Sequence, residues 1–329
     1  MHNLREKSAN FVQILCRSMQ AIKKTALFFL LILACSCSRD RYVVISGYAQ
    51  GGTYSVKANL YGSGVSRKTV AERIESLLTE IDTTLSGYNK ASQLSRYNAG
   101  ALAEPSAMFK DILEKSERFG EQTEGAFDVW AAPLFDIWGF GFKNDSLPDA
   151  AGVAEAMILS KEHKKLNFNA IAQGYSCDII AGYLHSIGVT DMLVDIGEIY
   201  CEGVNPKGLG WSIGIDTPTD GNNTPGASLS GIWQSDGGAH GVVTSGNYRK
   251  FYIKDGKKYA HTIDPRTGYP VDHNLLSATV VAPTATEADA LATYFMVIGF
   301  PEAVEYIEAH PGIEACLISS DDIWKSSGF

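Results

Sequence analysis

Positive charge, paired cysteines and long apolar runs are all scarce in this chain of 329 residues. Lysine and arginine number 28 against 37 aspartates and glutamates, a net charge of −9, which does not suit a nucleic acid or an anionic membrane surface. The apolar block Ala26 to Ala34 is too short to span a bilayer as a helix. Beyond the N-terminal region only Cys177, Cys201 and Cys316 remain, an odd set without metal-type spacing, and they read as small buried apolar residues. No Gly-Lys-Ser/Thr phosphate loop, internal repeat or low-complexity tract occurs. What is present, 32 glycines, 15 tyrosines and 20% charged residues, describes an ordinary globular chain, long enough for one large domain or two intimate ones.

The N-terminal segment "KKTALFFLLILACSC" runs in the order Lys23 and Lys24, apolar block, cysteine. That order fits a secretory signal. "ILAC", ending at Cys35, resembles a bacterial lipobox, with Cys37 as fallback; Met19 would give a normal signal length. The expected division is therefore a signal peptide over 1–34, a lipid-anchored tether over 35–43 and one domain over 44–329. Without residues 1–34, 23 basic and 36 acidic residues remain, a net charge of −13.

Along the body, Arg41 to Gly47 and Thr53 to Gly62 read as strands joined by "YAQGG". Val70, Ile74, Leu77, Leu78, Ile81 and Leu85 keep helical spacing, and a second helix starts at the cap Ser106 and stops around Gly120. "GAFDVWAAPLFDIWGFGF" fits neither period. A helix from about Tyr175 to Ile187 precedes an apolar strand, "MLVDIGEIYCEG", and Asp216 to Ala227 forms a loop. "YRKFYIKDGKKYAHTID" reads as a hairpin turning at Asp255–Gly256, and "LLSATVVAP" as a strand. A helix from Ala285 to Ile298, a short helix after Pro301 and a strand "IEACLIS" close the chain. Hairpin-linked strands with helices in separate blocks imply an α+β fold of mainly antiparallel sheets with packed helices.

Four stretches carry chemistry. In "TEADALAT", Asp289 and Thr293 stand four residues apart, one above the other on a helix face, as oxygen ligands for Mg²⁺ would be. Thr284 with Glu287, and Thr286 with Asp289, also have capping-box spacing, so Asp289 could simply serve the helix start. In "HTIDPRTGYP", His261 shares a strand face with Tyr259 and Ile263 and is a plausible general base, while Asp264 opens a turn; an Asp-Pro turn with Arg266 paired to Asp264 explains the same residues structurally. "LNFNAIAQGYSCD", an apolar strand entering a turn and a helix, offers backbone N–H groups for phosphate. In "LSGYNKASQLSRYN", Tyr88 could stack on a planar ring or cover a helix end.

Taken in order, "AQGGTYSV", "LSGYNKASQLSRYN", "GAFD", "NAIAQGYSCD", "VVTSGNY", "HTIDPRTGYPV" and "TEADALAT" closely resemble the FAD:protein FMN transferases, the ApbE-like flavin-transferring lipoproteins, over about residues 44–329. The resemblance implies an ApbE-like fold and a transfer of FMN from FAD to a threonine or serine hydroxyl of a target protein, forming a phosphoester and releasing AMP. It implies Mg²⁺ held by Asp289, Thr293 and the carbonyl of Ala172. Gln50, Tyr88, Ala126, Phe127, Asp128, Asn169, Tyr175 and the backbone near Ile263 would line the FAD site. His261 would be the base, with Asp264 its neighbour, and Thr244, Ser245 and Gly246 would offer donors to phosphate. The implied partners are flavin-acceptor domains, with subunits of membrane redox complexes as candidates, for an exported lipoprotein anchored in the membrane and facing the periplasm.

Departures accompany the likeness. Asn169-Ala170-Ile171-Ala172-Gln173-Gly174 stands where the family commonly has Gly-Gly-Ile-Ala-Lys-Gly, Gln50 replaces a methionine, and Gly52 replaces a threonine. The missing lysine leaves two other readings open: a Mg²⁺-dependent FAD pyrophosphatase giving FMN and AMP, and a non-catalytic lipoprotein that stores flavin.

Overall fold

In the computed structural model the residues described are 41–140, 147–219, 222, 224, 226–248, 251–254 and 257–329. The expected signal segment, Cys35 and the expected turn at Asp255 and Gly256 lie outside them. Tyr42 to Phe329 form one compact unit.

The chain enters through a hairpin, β1 (Tyr42–Ala49) and β2 (Gly52–Asn59), with Ala49 paired to Gly52. Gln50 and Gly51 both have positive φ, 51° and 83°, as a two-residue type I′ turn requires. Helix α1 (Arg67–Leu85) is capped by Ser66 and buries all six periodic apolar positions; α2 (Gln93–Asn98) and α3 (Ala107–Gln122) follow, α3 capped by Ser106. The irregular aromatic stretch becomes a 3₁₀ turn, Val129–Ala131, running into α4 (Ala132–Ile137). Sequence periodicity gave no sign of α5 (Ala150–Lys161), whose apolar residues do not keep to one face. Leu166 to Phe168 is not a strand but an extended segment pinned by Asn98, whose amide brackets Leu166 N–H and C=O at 2.8 Å each.

Helix α6 (Ala172–Ser186) starts three residues before Tyr175. The expected single strand divides into β3 (Met192–Asp195) and β4 (Ile199–Glu202), because the chain reverses at Gly197. Next come β5 (Ser212–Asp216) and β6 (Leu229–Gln234), then β7 (His240–Gly246), the hairpin β8 (Phe251–Lys254) and β9 (Lys257–Ala260), and the two-residue pair β10 (Ile263–Asp264) and β11 (Tyr269–Pro270). Strand β12 (Leu275–Ala282), α7 (Ala285–Ile298), α8 (Phe300–Ala309), β13 (Glu314–Ser319) and β14 (Ile323–Lys325) complete the fold.

Among the described residues, eight strands form the main sheet in the order β1-β2-β3-β4-β7-β12-β13-β14, every neighbouring pair antiparallel. The α+β reading holds. Two clusters cover one side: α1 and α6 over β1 to β4, and α7 with α8 over β7, β12 and β13. Leu193, Cys201, Val242 and Val281 face the other way, onto Trp211, Ile213 and Trp233 of the β5–β6 hairpin. Cys177, Cys201 and Cys316 are buried and unpaired, as their spacing implied.

What positions α7 is missing bulk. A Cβ on Gly174 of α6 would stand 2.1 Å from the Ala285 carbonyl oxygen, and one on Gly241 of β7 would stand 2.4 Å from the Ala285 backbone. The first turn of α7 therefore sits in a slot between helix and strand that only glycine leaves open.

Candidate functional site

Asp289 is not a cap for its own helix. Thr284 fills that role, its hydroxyl accepting the Glu287 N–H at 3.1 Å. Thr286, the other candidate cap, donates its hydroxyl to Asp178. Asp289 reaches instead to α6 and accepts the Gly174 N–H at 2.9 Å. It is 5% exposed, and no basic side chain is paired with it among the described residues. Burial pushes its carboxyl up to about 7, with repulsion from Asp178 adding to the shift and the Gly174 N–H opposing it. Thr293, one turn further on the same face, is half-buried, and its hydroxyl makes no hydrogen bond among the described residues.

The start of α6 faces this pair. Its N-cap position, Ile171, supplies no side-chain cap, so the Gly174 N–H that Asp289 takes is one of the unpaired donors of the first turn. The Ala172 carbonyl accepts the Ser176 hydroxyl at 2.6 Å, and Ser176 in turn accepts the Gln50 amide at 2.6 Å. Gln50, from the β1–β2 turn, is thus latched to the end of α6 that carries Ala172. Gln173 turns to the β3–β4 corner, donating to the Ile196 carbonyl at 3.3 Å, so its position carries no positive charge.

Asp178, the last residue of "NAIAQGYSCD", carries no role that its sequence neighbours imply. Its carboxylate accepts the Ala285 N–H at 2.9 Å, the Thr286 N–H at 2.8 Å and the Thr286 hydroxyl. Burial outweighs these bonds and raises its proton affinity above the usual carboxylate range. The partner elements are 107 and 108 residues away, a distance at which no local pattern exists to read.

The histidine block is fastened from three sides. Thr262 donates its hydroxyl to the buried Asn247 side chain at 2.7 Å, which joins "VVTSGNY" to "HTIDPRTGYPV". Trp138 donates its indole N–H to the Gly268 carbonyl at 2.8 Å. Gly268 N–H closes the turn onto the Asp264 carbonyl at 2.8 Å. Ile263 is buried with the Trp138 cluster, Tyr259 packs against Trp138, and the half-buried His261 lies edge-on to Phe140; all three meet one aromatic cluster, but the strand breaks at His261 and Thr262, so no single strand carries them. The Asp264 carboxylate takes Arg266 Nε at 3.0 Å, Nη2 at 2.9 Å and its N–H at 2.9 Å. This is the structural pairing that an Asp-Pro turn allows, and Asp264 frames the turn through it. Strand β10 also contacts α7, which brings this turn to the helix of Asp289.

The remaining residues divide by environment. Tyr88 is 70% exposed and Asn169 is exposed in the turn before α6, both accessible to a ligand. Ala126 and Phe127 are core, Phe127 packing edge-on to Phe119, so only their backbone can meet a ligand. Asp128 caps the 3₁₀ turn by accepting the Trp130 N–H at 2.8 Å, and burial raises its carboxyl. Tyr175 is buried with its hydroxyl on Asp111 of α3 at 2.8 Å; burial and that carboxylate hold its phenol protonated. Thr244 bonds Thr279 through its hydroxyl at 2.8 Å and Glu198 through its N–H, and Ser245 follows it on β7, half-buried. Cavities of about 540 and 880 Å³ flank α3, and neither is lined by His261, Asp289 or Thr293. The chemistry-bearing groups therefore mark the site better than cavity size does.

Comparison with known proteins converges on one group. The sequence model of the ApbE family matches residues 51–317. The FAD:protein FMN transferase of Escherichia coli K12 is 33% identical over 298 residues, covering 81% of this chain and 83% of that protein. The flavin transferase ApbE from Vibrio cholerae has a similar solved structure, with a TM-score of 0.76 and 31% identity over 88% of this chain and 98% of that one. The Pseudomonas stutzeri flavinyl transferase ApbE, in its apo form, is similar at a TM-score of 0.76 and 30% identity, covering 88% and 96%.

Proposed function

The chain belongs to the ApbE family and transfers FMN from FAD to a target protein; we propose that it does so with Asp289, Thr293 and the Ala172 carbonyl as the ligands of Mg²⁺ and His261 as the base. The observation that carries the reading is Asp289: among the described residues this carboxylate is buried without a counter-charge, with one oxygen on the Gly174 N–H, and the Thr293 hydroxyl on the same face has no hydrogen bond. Such a group is costly unless a cation joins it. Carboxylate, hydroxyl and carbonyl oxygens suit a hard divalent ion that keeps several waters. The Ala172 carbonyl accepts the Ser176 hydroxyl, which an arriving cation would displace while the helical bond from the Ser176 N–H stays.

FAD joins FMN to AMP through a diphosphate whose negative charge repels an oxygen nucleophile. Bound Mg²⁺ supplies the positive charge that offsets this repulsion and the charge gathering on AMP. His261 takes the proton from a threonine or serine hydroxyl of the acceptor as that oxygen attacks the phosphorus on the FMN side, an effect typically worth ~10²- to 10⁴-fold. The new phosphorus–oxygen bond forms as the bond to AMP breaks, and AMP leaves with the electron pair. Tyr88 and Asn169 offer exposed contacts to FAD, and the Thr244–Ser245–Gly246 segment offers donors to its phosphates. Asp264 holds the histidine turn through Arg266.

The order of Lys23, Lys24, apolar block and Cys35 supports an exported, lipid-anchored protein facing the periplasm. Acceptors in that compartment are flavin-carrying domains of membrane redox complexes. Purified chain is incubated with FAD, Mg²⁺ and an acceptor domain. Covalent flavin fluorescence on the acceptor with release of AMP is expected; AMP and free FMN alone mean hydrolysis, and intact bound FAD means storage.

A further inference from the structure

The first turns of α6 and α7 cap each other. Asp178, on α6, accepts the N–H groups of Ala285 and Thr286 at the start of α7, and Asp289, on α7, accepts the Gly174 N–H at the start of α6. Each helix thus satisfies donors that the other leaves unpaired. Gly174 and Ala285 meet at the crossing, too close for any side chain on Gly174. Asp178 lies four residues beyond Gly174 and Asp289 four beyond Ala285, so the two carboxylates stand one turn out on either side.

This geometry leaves α7 little freedom to turn about its axis. Asp178 fixes two successive N–H vectors and the Thr286 hydroxyl, which sets the rotation of the helix at its first turn. Asp289 is four residues on from Ala285 and Thr293 seven on from Thr286, so both ride on that rotation. Both oxygens of Asp178 are engaged by α7, so the residue reaches Asp289 and Thr293 through the helix.

We propose that Asp178 is a positioning residue for the FMN-transfer reaction: by capping α7 across the helix crossing, it aims Asp289 and Thr293 at the Ala172 carbonyl and so sets the affinity of the cation site. This rests on the reading that those three groups hold a divalent ion. Groups that orient ligands from outside the coordination shell typically govern metal affinity by about 10- to 100-fold.

The test uses the full chain without FAD and Mn²⁺ as the probe, free Mn²⁺ being read by electron paramagnetic resonance alongside thermal unfolding. Asp178→Ala is expected to raise the Mn²⁺ Kd by about 10- to 100-fold. Asp178→Asn, which keeps one acceptor, falls between that and wild type. Thr286→Val, which keeps both N–H bonds, changes Kd by less than about fivefold. If Asp178→Ala does not fold, Asp178→Asn decides through a weakened or unchanged Kd. A folded Asp178 variant with wild-type Mn²⁺ affinity, whatever its melting temperature, overturns the proposal. Wild-type chain that binds no Mn²⁺ overturns the cation reading itself, a separate failure.

Discussion

The α6–α7 crossing and the His261–Gly268 turn, the two halves of the proposed site, are built on opposite principles. The crossing is buried and assembled from segments more than a hundred residues apart, with Asp289 and Asp178 each raised in proton affinity by burial. The turn is local: Asp264, Arg266 and Gly268 close it among themselves, with Arg266 and Thr267 exposed. On the proposed reading, the buried carboxylates would grip the cation, and the turn would present the half-buried His261 to an incoming protein.

That contrast fixes how each half should fail. Asp289→Ala should bring Mg²⁺-dependent flavin transfer down to background, measured as covalent fluorescence on an acceptor. His261→Ala should lower the transfer rate by ~10²- to 10⁴-fold while leaving FAD binding intact, which fluorescence titration with FAD would check. Gly174→Ala should cost about 1–3 kcal/mol of stability or more, read from urea unfolding, since its Cβ would meet the Ala285 backbone and not a side chain that can move aside.

A proton linkage sharpens the difference further. In the cation-free protein the Asp289 carboxyl is raised to about 7, from an unfolded value of about 4. Its contribution to stability is therefore full below about pH 4 and is lost as pH rises through about 7. Asp289→Asn should lack this loss, so its melting temperature relative to wild type should climb between pH 4 and 8, and Mg²⁺ should abolish the gap by stabilising only the wild type. Arg266→Ala should move stability least, by about 1 kcal/mol or under, because the Arg266 end of its ion pair is exposed and screened by water.

The same division governs what could be read from the chain itself. Helix α7 was legible to the residue, from the Thr284 cap and the apolar run, and so was the Asp289–Thr293 face. The Asp264 turn and the hairpin before it were legible because their determinants are neighbours in sequence. Asp178 was not, since a carboxylate that caps a helix 107 residues away leaves no periodic trace. Helix α5 was missed because its apolar residues do not sort to one face, and the β3–β4 reversal because Gly197 interrupts an otherwise continuous apolar run. Trp138, in a stretch that matched no period, proved to pin the histidine turn through a bond spanning 130 residues.

The most direct test of the cation-centred account is a crystal structure of the full chain with FAD and Mn²⁺, with manganese located by its anomalous signal. The account predicts a peak within coordination distance of the Asp289 carboxylate, the Thr293 hydroxyl and the Ala172 carbonyl, and in contact with the FAD diphosphate. A peak elsewhere, or Asp289 still bonded to the Gly174 N–H alone with FAD bound, would contradict it.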